Sequence, residues 1–322
     1  MAILAGIDEA GYGPLLGPLV VSAAVFEMPQ STLSENHWRL LKTAVSLDKR
    51  KLAGRLLITD SKKAFNRKSG PGHLRRTVLS CLHTVSGKSP STASDLIGSL
   101  CPQTAGQLGL YPWYENLHQQ SLGHCTEDIS IASTALNKAL AQNGIKLHGL
   151  RSRCLDVETF NHRVGSVRNK SRVLFTELCS LILDIAKHST SGEEPVQIIV
   201  DRQGGRVNYQ QELMRMFPTW PLSTIKQDPA LSSYQLDANG VSIRIHFCMK
   251  ADMKHLCVSL ASMASKYLRE VMMESLNNYF CARCEGLAPT AGYWQDGQRF
   301  VKDLSNHLPS DPNIPGKLVR IS

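Results

Sequence analysis

The sequence predicts an α/β domain in which strands and long helices form separate layers. Short runs rich in Ile, Val and small residues, such as residues 3–7 and 17–26, indicate buried strands. The segment 170–187 instead repeats apolar residues at helical spacing. Strands mixed with long helices are typical of a layered α/β domain, and 322 residues suffice for one large domain or two modest ones.

The first half of the chain carries weaker patterns than the second. A short strand is predicted at 56–59, a turn-rich break at 66–72 and a helix at 73–85. Residues 86–125 are rich in Ser, Pro and Gly, and we interpret them as an insertion or lid rather than as core. The predicted insertion as a whole extends over about 86–190.

The second half alternates helices and extended segments. Helices are predicted at 128–143, where Gly144 closes the helix, and at 170–187 and 253–283, with a helix or turn at 209–216. Extended segments are predicted at 146–157, at 195–201 and at 231–245, a hairpin that turns at Asn239-Gly240. A connection with Gly and Pro and a polar tail follow the last helix.

The chain is basic. Lys and Arg number 36 against 27 Asp and Glu, an excess of 9, and the pI is about 9.1. Such an excess favours a polyanionic partner, because phosphates attract Lys and Arg over long distances. A basic surface that only keeps the protein in solution is the alternative that charge leaves open.

The composition indicates a cytoplasmic protein without a membrane segment. The longest nearly apolar run, residues 15–26, is about half the length that spans a bilayer, and it contains Gly and Pro. Two acids and no basic segment precede it, which excludes an ordinary signal peptide. Nine scattered cysteines fit reduced thiols, and the single Cys281–Cys284 pair lacks a second pair at zinc spacing. Nothing in the sequence requires a second subunit, so we expect a monomer.

Two acids, Asp8 and Glu9, directly follow the first predicted strand. Carboxylates at the end of a buried strand are costly unless a partner neutralises them, and Mg²⁺ prefers carboxylate oxygens. The Gly-Tyr-Gly-Pro segment that follows lets the backbone approach whatever lies beside the acids. The alternative is a strand that ends in solvated acids before a turn.

A second strand ends in the same way. Residues 196–200 are apolar, and Asp201 and a glycine-containing segment follow them. Ligands in open α/β sheets gather at the carboxyl ends of strands, so a second acid there indicates a shared site. Taken alone, Asp201 could instead belong to a capped turn.

The segment 250–269 carries the most specific pattern. Asp252 lies where an acid in the first turn of a helix is favourable. Helical spacing places a polar stripe on one face: Ser259, Ser262, Lys266 and Arg269. Such a stripe suits a phosphate-bearing ligand, although a solvated polar face would have the same pattern.

Five motifs together resemble the type 2 ribonuclease H family (RNase HII), whose members cleave RNA–DNA hybrids and ribonucleotides embedded in DNA. The motifs are residues 6–21, Asp60-Ser-Lys-Lys63, Val200-Asp201, Lys250-Ala-Asp252 with the helix motif at 261–269, and Gly292-Tyr293. Their order and spacing match over about residues 1–65 and 195–300, whereas residues 86–190 match poorly.

The resemblance implies an RNase H-like fold with a mixed central sheet flanked by helices. It implies a catalytic domain at 1–285 and a substrate-contacting segment and tail at 286–322. It also implies two Mg²⁺ or Mn²⁺ ions at a site formed by Asp8, Glu9, Asp201 and Asp252. The implied activity is hydrolysis of a phosphodiester bond that leaves a 3′-hydroxyl, in replication and repair.

The resemblance also implies contacts with the nucleic acid. Lys62 and Lys63 would hold a backbone phosphate, and Tyr293 would stack on the ribose at an RNA–DNA junction. Backbone groups around Gly11 to Gly13 would read the 2′-hydroxyl. The same resemblance places Ser262, Lys266 and Arg269 beside the substrate. His255, the histidine closest in sequence to these acids, is interpreted as structural.

Two departures from the family pattern concern the substrate. The family has Gly-Arg-Gly where this chain has Tyr12 between its glycines, which removes a cation beside the junction phosphate. After the third acid the family has Gly-Asn, whereas Arg202 and Arg206 occur here, and either could replace the missing cation. The departures leave three functions open: an endoribonuclease on hybrids or embedded ribonucleotides, a nuclease of the same fold on another structured nucleic acid, and a non-catalytic nucleic-acid-binding protein.

Overall fold

The computed structural model describes residues 1–66, 70–188, 196–308 and 313–321, and a seven-stranded sheet lies at its centre. The strands of this sheet are β1 (Ala2–Ala10), β2 (Leu19–Met28), β5 (Lys146–Leu155), β6 (Val196–Asp201), β7 (Leu222–Gln227), β8 (Leu231–Ala238) and β9 (Val241–Cys248). A separate two-stranded parallel pair consists of β3 (Val45–Ser46) and β4 (Leu56–Leu57).

The helices cover both faces of the sheet. They are α1 (His37–Leu40), α2 (Ser61–Ala64), α3 (Gly72–Ser86), α4 (Ala93–Leu100), α5 (Ala105–Leu108), α6 (Thr126–Gln142), α7 (Val157–Val167), α8 (Lys170–His188), α9 (Gln210–Met216), α10 (Leu256–Cys281), α11 (Trp294–His307) and α12 (Asn313–Leu318). Of the described helices, none combines the length and apolar character needed to cross a bilayer.

The strand order is β5-β2-β1-β6-β9-β8-β7. Strands β1, β6 and β9 run parallel, and the outer strands pair antiparallel on either side of them. The predicted fold class, a mixed central sheet flanked by helices with a helical C-terminal part, is therefore confirmed. Because the three central strands are parallel, their carboxyl ends lie at one edge of the sheet.

Alternate residues of the strands enter two separate cores. Leu4, Val20 and Phe26 pack towards α3, α6 and α10, whereas Ala5 and Ile7 pack towards α7, α8 and α9. This alternation is the two-residue repeat of a strand that is buried on both faces. It also directs consecutive side chains at the end of β1 to opposite faces.

Helix α10 lies directly on β1 because Gly6 has no side chain. A Cβ atom at Gly6 would lie 2.2 Å from the backbone carbon of Cys257. Backbone atoms cannot move aside as a flexible side chain can, so the glycine is required for this approach. The contact places the first turns of α10 beside the last residues of β1.

The interpretation of residues 86–125 as an insertion or lid excludes them from the core, and this exclusion is wrong. Tyr111, Trp113 and Leu117 are buried in the same core as α10. The Trp113 ring lies 5.3 Å from that of Phe280, and Ser275 Oγ donates a hydrogen bond of 2.6 Å to the Trp113 carbonyl. Scattered apolar residues within a polar stretch thus form a wall of the core, because tertiary packing overrides the local composition.

Other predicted elements agree with the structure except at their boundaries. The predicted strand at 17–26 begins at Leu19, and the predicted helix at 253–283 begins at Leu256 after a 3₁₀ turn. Helices α7 and α11 were not predicted, and α11 occupies part of the supposed polar tail. Parts of the predicted break at 66–72 and of the strand at 195–201 lie outside the described residues.

Candidate active site

The parallel strands bring two of the predicted acids together. The β1–β6 register pairs Ile7 with Val200, and Asp8 and Asp201 are the next residues of the two strands. Asp252 lies in the connection between β9 and α10, beside the same edge. Three acids that are far apart in the sequence therefore meet at one edge of the sheet, with Glu9 next to Asp8.

Helix α10 surrounds Asp8 with hydroxyl groups. The Asp8 side chain faces the helix and is only 8% exposed. Ser262 makes a side-chain hydrogen bond with the Asp8 carboxylate, and Ser265 Oγ donates a 3.0 Å bond to the Asp8 carbonyl. The backbone amide of Glu9 donates to Asp8 Oδ1 at 2.8 Å. Asp8 is thus fixed in one orientation by its neighbours.

Backbone contacts hold the other two acids. The amide of Ala251 donates to Asp201 Oδ1 at 2.7 Å, which ties the β9–α10 connection to the end of β6. Ser259 Oγ donates to the carbonyl of Asp252 from the first turn of α10. These contacts place Asp252 one residue beyond the group that holds Asp201.

The carboxylates are electrostatically coupled. Burial raises the pKa of Asp8 well above its usual range, and the charges of Glu9 and Asp201 raise it further. Burial and then Asp201 raise the pKa of Glu9 to about 7, and burial also raises the pKa of Asp201 to about 6. Burial and then Asp60 raise the pKa of Asp252. Each acid resists ionisation because its charge is desolvated and faces like charges.

The donor chemistry of this cluster fits a hard divalent cation. The carboxylate oxygens of Asp8, Glu9 and Asp201 are the ligand type of Mg²⁺ and Mn²⁺, and cations would relieve their mutual repulsion. Within the described ranges, no three His, Cys, Asp or Glu side chains already converge tightly enough to enclose an ion. The fit therefore concerns the ligand type and charge rather than a preformed coordination shell.

A cleft of about 620 Å³ opens beside Glu9. Its walls combine cations, aromatic rings and the backbone of the Gly11–Tyr12–Gly13 segment. The cationic and aromatic side chains that line it are Lys49, Lys62, Lys63, Lys266, Arg269, Tyr12, Phe65 and Tyr293. A cleft with acids at one end and cations along its walls can hold a polyanion against a cation-dependent centre.

The predicted contact residues differ in exposure. Lys62 and Lys63 are exposed in the first turn of α2, which the Asp60 side chain caps through a 2.8 Å bond to the Lys62 amide. Tyr12 and Tyr293 are 38% and 48% exposed. Lys266 is partly buried, with its ammonium group bonded to Glu270 and 4.6 Å from the Phe65 ring centre.

Three members of the predicted polar stripe are internal, and Ser259 is fully buried. Ser262 is 4% exposed and bonds the Ser61 hydroxyl at 3.0 Å. Arg269 is 1% exposed, and its Nη2 donates to the carbonyls of Leu16 and Ala291. These residues support the wall of the cleft instead of presenting free groups at its surface. His255 precedes α10, and burial lowers its pKa.

The structure separates the two arginines that follow Asp201. The guanidinium of Arg202 donates to the carbonyls of Asp228 and Pro229, at the turn between β7 and β8. Arg206 lies over the rings of Phe175 and Tyr209, and its charge acts on the Tyr12 hydroxyl. Its Nη2 donates to the Ser171 hydroxyl, whereas its buried Nη1 has no partner within the described residues. Only Arg206 thus lies beside Tyr12.

Three cationic or aromatic residues at or near the cleft were not among the site residues predicted from the sequence. Lys49 and Phe65 line it, and Trp294 is 50% exposed in a smaller pocket that also includes Tyr12. The Lys49-Arg50-Lys51 run and the Trp that follows Gly292-Tyr293 were visible signals for two of them. Phe65 carried no signal, because a single aromatic residue after a short helix is most often core.

No family model matches this chain, and no curated protein matches it. Among solved structures, the chain is similar to RNase HII from Archaeoglobus fulgidus in a complex with PCNA, at 17% identity and a TM-score of 0.45, over 99% of this chain and 94% of that one. It is similar to Bst-RNase HIII with Mn²⁺ at 14% identity and a TM-score of 0.43, over 99% of this chain and 66% of that one. The chain is also similar to ribonuclease H2 from Pyrococcus horikoshii OT3, at 17% identity and a TM-score of 0.42, over 98% of this chain and 92% of that one. No residue role is carried over from these proteins.

The raised pKa of Glu9 predicts a pH-dependent penalty on folding. The pKa of Glu9 is near 4.5 in the unfolded chain and about 7 in the folded chain. The protonated form therefore favours folding, and this contribution to stability is lost as the pH rises through about 7. Glu9→Gln cannot ionise and should exceed the wild type by about 3 kcal/mol in free energy of unfolding at pH 8, with little difference at pH 4.5. Chemical denaturation in a chelator measures both values.

The matched control is Glu115→Gln, because Glu115 is an exposed glutamate outside the cluster. We expect this variant to follow the wild type at both pH values. An equal effect of Glu9→Gln at pH 4.5 and pH 8 would contradict the electrostatic account.

Proposed function

We propose that this protein is a metal-dependent nuclease of the ribonuclease H type, which cleaves the RNA strand of RNA–DNA hybrids or DNA duplexes at embedded ribonucleotides. The observation that carries the proposal is the coupled set of acids at the ends of adjacent parallel strands, in which Asp8 is buried and Glu9 and Asp201 are half-buried. Such a cluster opposes folding, which is typical of a functional site. The motifs that resemble RNase HII include all four of its acids.

Asp8, Glu9 and Asp201 would hold the divalent ions, with Asp252 beside them. When bound, Mg²⁺ or Mn²⁺ neutralises charge on the scissile phosphate and lowers the pKa of water. Ser262 and Ser265 fix Asp8, and the Ala251 amide fixes Asp201, so these two acids are oriented before an ion binds.

The cleft walls would position the nucleic acid. Lys62 and Lys63 are exposed and can bind consecutive backbone phosphates. The half-exposed ring of Tyr293 provides a stacking surface for a ribose or base. The backbone around Gly11 to Gly13 borders the same cleft, where it can contact a 2′-hydroxyl. A 2′-hydroxyl contact is what distinguishes RNA from DNA at such a site.

Arg206 would supply the positive charge that is missing at position 12, where this chain has Tyr12 and the family has an arginine. The half-buried side chain of Arg206 is held by the Ser171 hydroxyl and two aromatic rings. Its charge already acts on Tyr12, at the rim of the cleft. Arg202 is directed to the β7–β8 turn and serves no such role.

Tyr12 also supports a second candidate, a nuclease of the same fold that acts on another structured nucleic acid. An exposed tyrosine stacks on any base, whereas an arginine at that position would bind a phosphate. In this alternative the acids and ions keep their roles, and only the preferred substrate differs.

The cleavage prediction compares three labelled substrates with Mg²⁺ or Mn²⁺: a DNA duplex with one ribonucleotide, an RNA–DNA hybrid and an all-DNA duplex. We expect the first two to be cut and the third to remain intact. Asp8→Asn should lower the cleavage rate by at least about a thousandfold, because it removes a charged ligand from the centre. Its affinity for the duplex without ions should stay close to that of the wild type.

Cleavage of the hybrid alone would restrict the substrate to hybrids. Cleavage of neither ribonucleotide substrate would contradict the proposal. In that case, ion-dependent cutting of a branched DNA or a structured RNA would favour the second candidate, and binding without cutting would favour a binding protein.

A pair of arginine variants tests the contact assigned to Arg206. Arg206→Ala should weaken binding of the ribonucleotide-containing duplex and reduce the slope of log K against log salt by about 0.9, the value for one phosphate contact. Arg202→Ala is the matched control, because it removes a neighbouring arginine with backbone partners. Fluorescence anisotropy at several salt concentrations measures both. Equal slopes for Arg206→Ala and the wild type would overturn the assignment.

A further inference from the structure

Arg320, in the last described segment of the chain, holds the loop that follows β1. This loop comprises residues 11–17. The Arg320 amide donates to the Leu15 carbonyl at 2.9 Å, and its Nε donates to the Gly17 carbonyl at 2.8 Å. Its Nη1 donates to the carbonyl of Gly11. One residue therefore binds the beginning, the middle and the end of the loop.

The segment that carries Arg320 is itself fixed. Asn161 of α7 accepts a 2.9 Å bond from the Ile321 amide and donates a 2.8 Å bond to the Val319 carbonyl. The Arg320 guanidinium lies 4.8 Å from the Phe160 ring centre, and the residue is 3% exposed. The arginine thus approaches the loop from inside the protein, on a rigid support.

A second buried cation lies under the same loop. Arg269 Nη2 donates to the Leu16 carbonyl at 3.0 Å, and a Cβ at Gly11 would lie 2.8 Å from Arg269 Nε. The nearest carboxylate oxygen, on Glu270, is 4.0 Å from Arg269 Nη1. Burial, and then the charge of Arg269, lower the pKa of Arg320 to about 9, so the Arg320 guanidinium is charged at pH 7.

The charge under the loop is incompletely compensated. Within the described residues, three buried guanidinium nitrogens have no hydrogen-bond partner: Arg269 Nε, Arg269 Nη1 and Arg320 Nη2. The hydrogen-bond acceptors of Arg320 in these ranges are backbone carbonyls, which carry no net charge. Buried charges are screened less than exposed ones, so their field reaches the loop surface above them. Tyr12 forms part of that surface.

We propose that Arg320 is a positioning residue that holds the 11–17 loop and, together with Arg269, makes it an attachment point for a phosphodiester beside Tyr12. Their positive charge acts from beneath the loop and adds to that of Arg206, which acts on Tyr12. No direct contact between Arg320 and the ligand is involved, because its nitrogens are buried. The nature of the ligand rests on the proposed function, whereas the support of the loop does not.

The first test measures hydrogen exchange of the Leu15 and Leu16 amides, which both donate to the Gly292 carbonyl. Arg320→Met keeps an unbranched apolar stem but removes the two side-chain bonds to the loop. We expect exchange at both amides to become at least about tenfold faster, with no change in the β8–β9 hairpin. Arg320→Lys restores one donor and the charge and should fall between Arg320→Met and the wild type.

The matched control is Arg55→Met, at the residue before β4. Arg55 also donates to backbone carbonyls, those of Leu52 and Lys42, which lie outside the loop. We expect wild-type exchange at Leu15 and Leu16 in this variant. Unchanged exchange in Arg320→Met, or equal acceleration in both variants, would overturn the support of the loop.

The second test measures binding of a DNA duplex with one ribonucleotide as salt is varied, without divalent ions. Arg320→Met should bind about tenfold more weakly than the wild type at low salt, with Arg320→Lys closer to the wild type. Faster exchange with unchanged affinity would overturn the phosphate part of the proposal. If the wild type neither binds nor cuts the duplex, the proposed function fails, and the exchange result alone decides whether Arg320 holds the loop.

Discussion

The backbone contact between α10 and β1 at Gly6 determines the geometry of the whole site. Because the helix rests on the strand with no side chain between them, its hydroxyl groups reach the end of β1 and fix Asp8. The same helix begins four residues after Asp252, at Leu256, and carries Arg269 to the underside of the 11–17 loop. A larger residue at Gly6 would move the helix outward, and the acids and the loop would lose their common support.

The site combines a group of neighbouring acids with a group of buried arginines, and each group is unfavourable by itself. Acids at the sheet edge are buried among like charges, and burial raises the pKa of Asp8, Glu9 and Asp201. Arg269 and Arg320 are buried under the 11–17 loop, which offers them backbone carbonyl oxygens as hydrogen-bond acceptors. Each arrangement opposes folding by itself, and each would be relieved by a ligand of opposite charge. Divalent cations and a phosphate backbone are such ligands, which is why the two regions are best understood together.

The positions of Asp8 and Asp201 at strand ends could be predicted from the sequence, because an apolar run precedes each of them. An apolar run before Asp8 and another before Asp201 indicated strand ends, and the structure brings those ends together. The burial of residues 86–125 could not be predicted from composition, because abundant Ser, Pro and Gly are typical of surface segments. The Trp113 ring is nevertheless buried. Arg320 could not have been identified, since its partners lie about three hundred positions away and a single arginine has no pattern. The roles of the predicted site residues remain proposals.

Isothermal titration calorimetry of Mn²⁺ binding tests the electrostatic coupling of the acids most directly. At pH 7 the cluster retains protons because burial raises the pKa of Glu9 to about 7. Mn²⁺ should therefore bind the wild type with release of protons, seen as a heat that depends on the ionisation enthalpy of the buffer. Asp201→Asn should lose binding, whereas Glu115→Gln should retain it. Equal Mn²⁺ binding by Asp201→Asn and the wild type, or binding without proton release, would contradict the account.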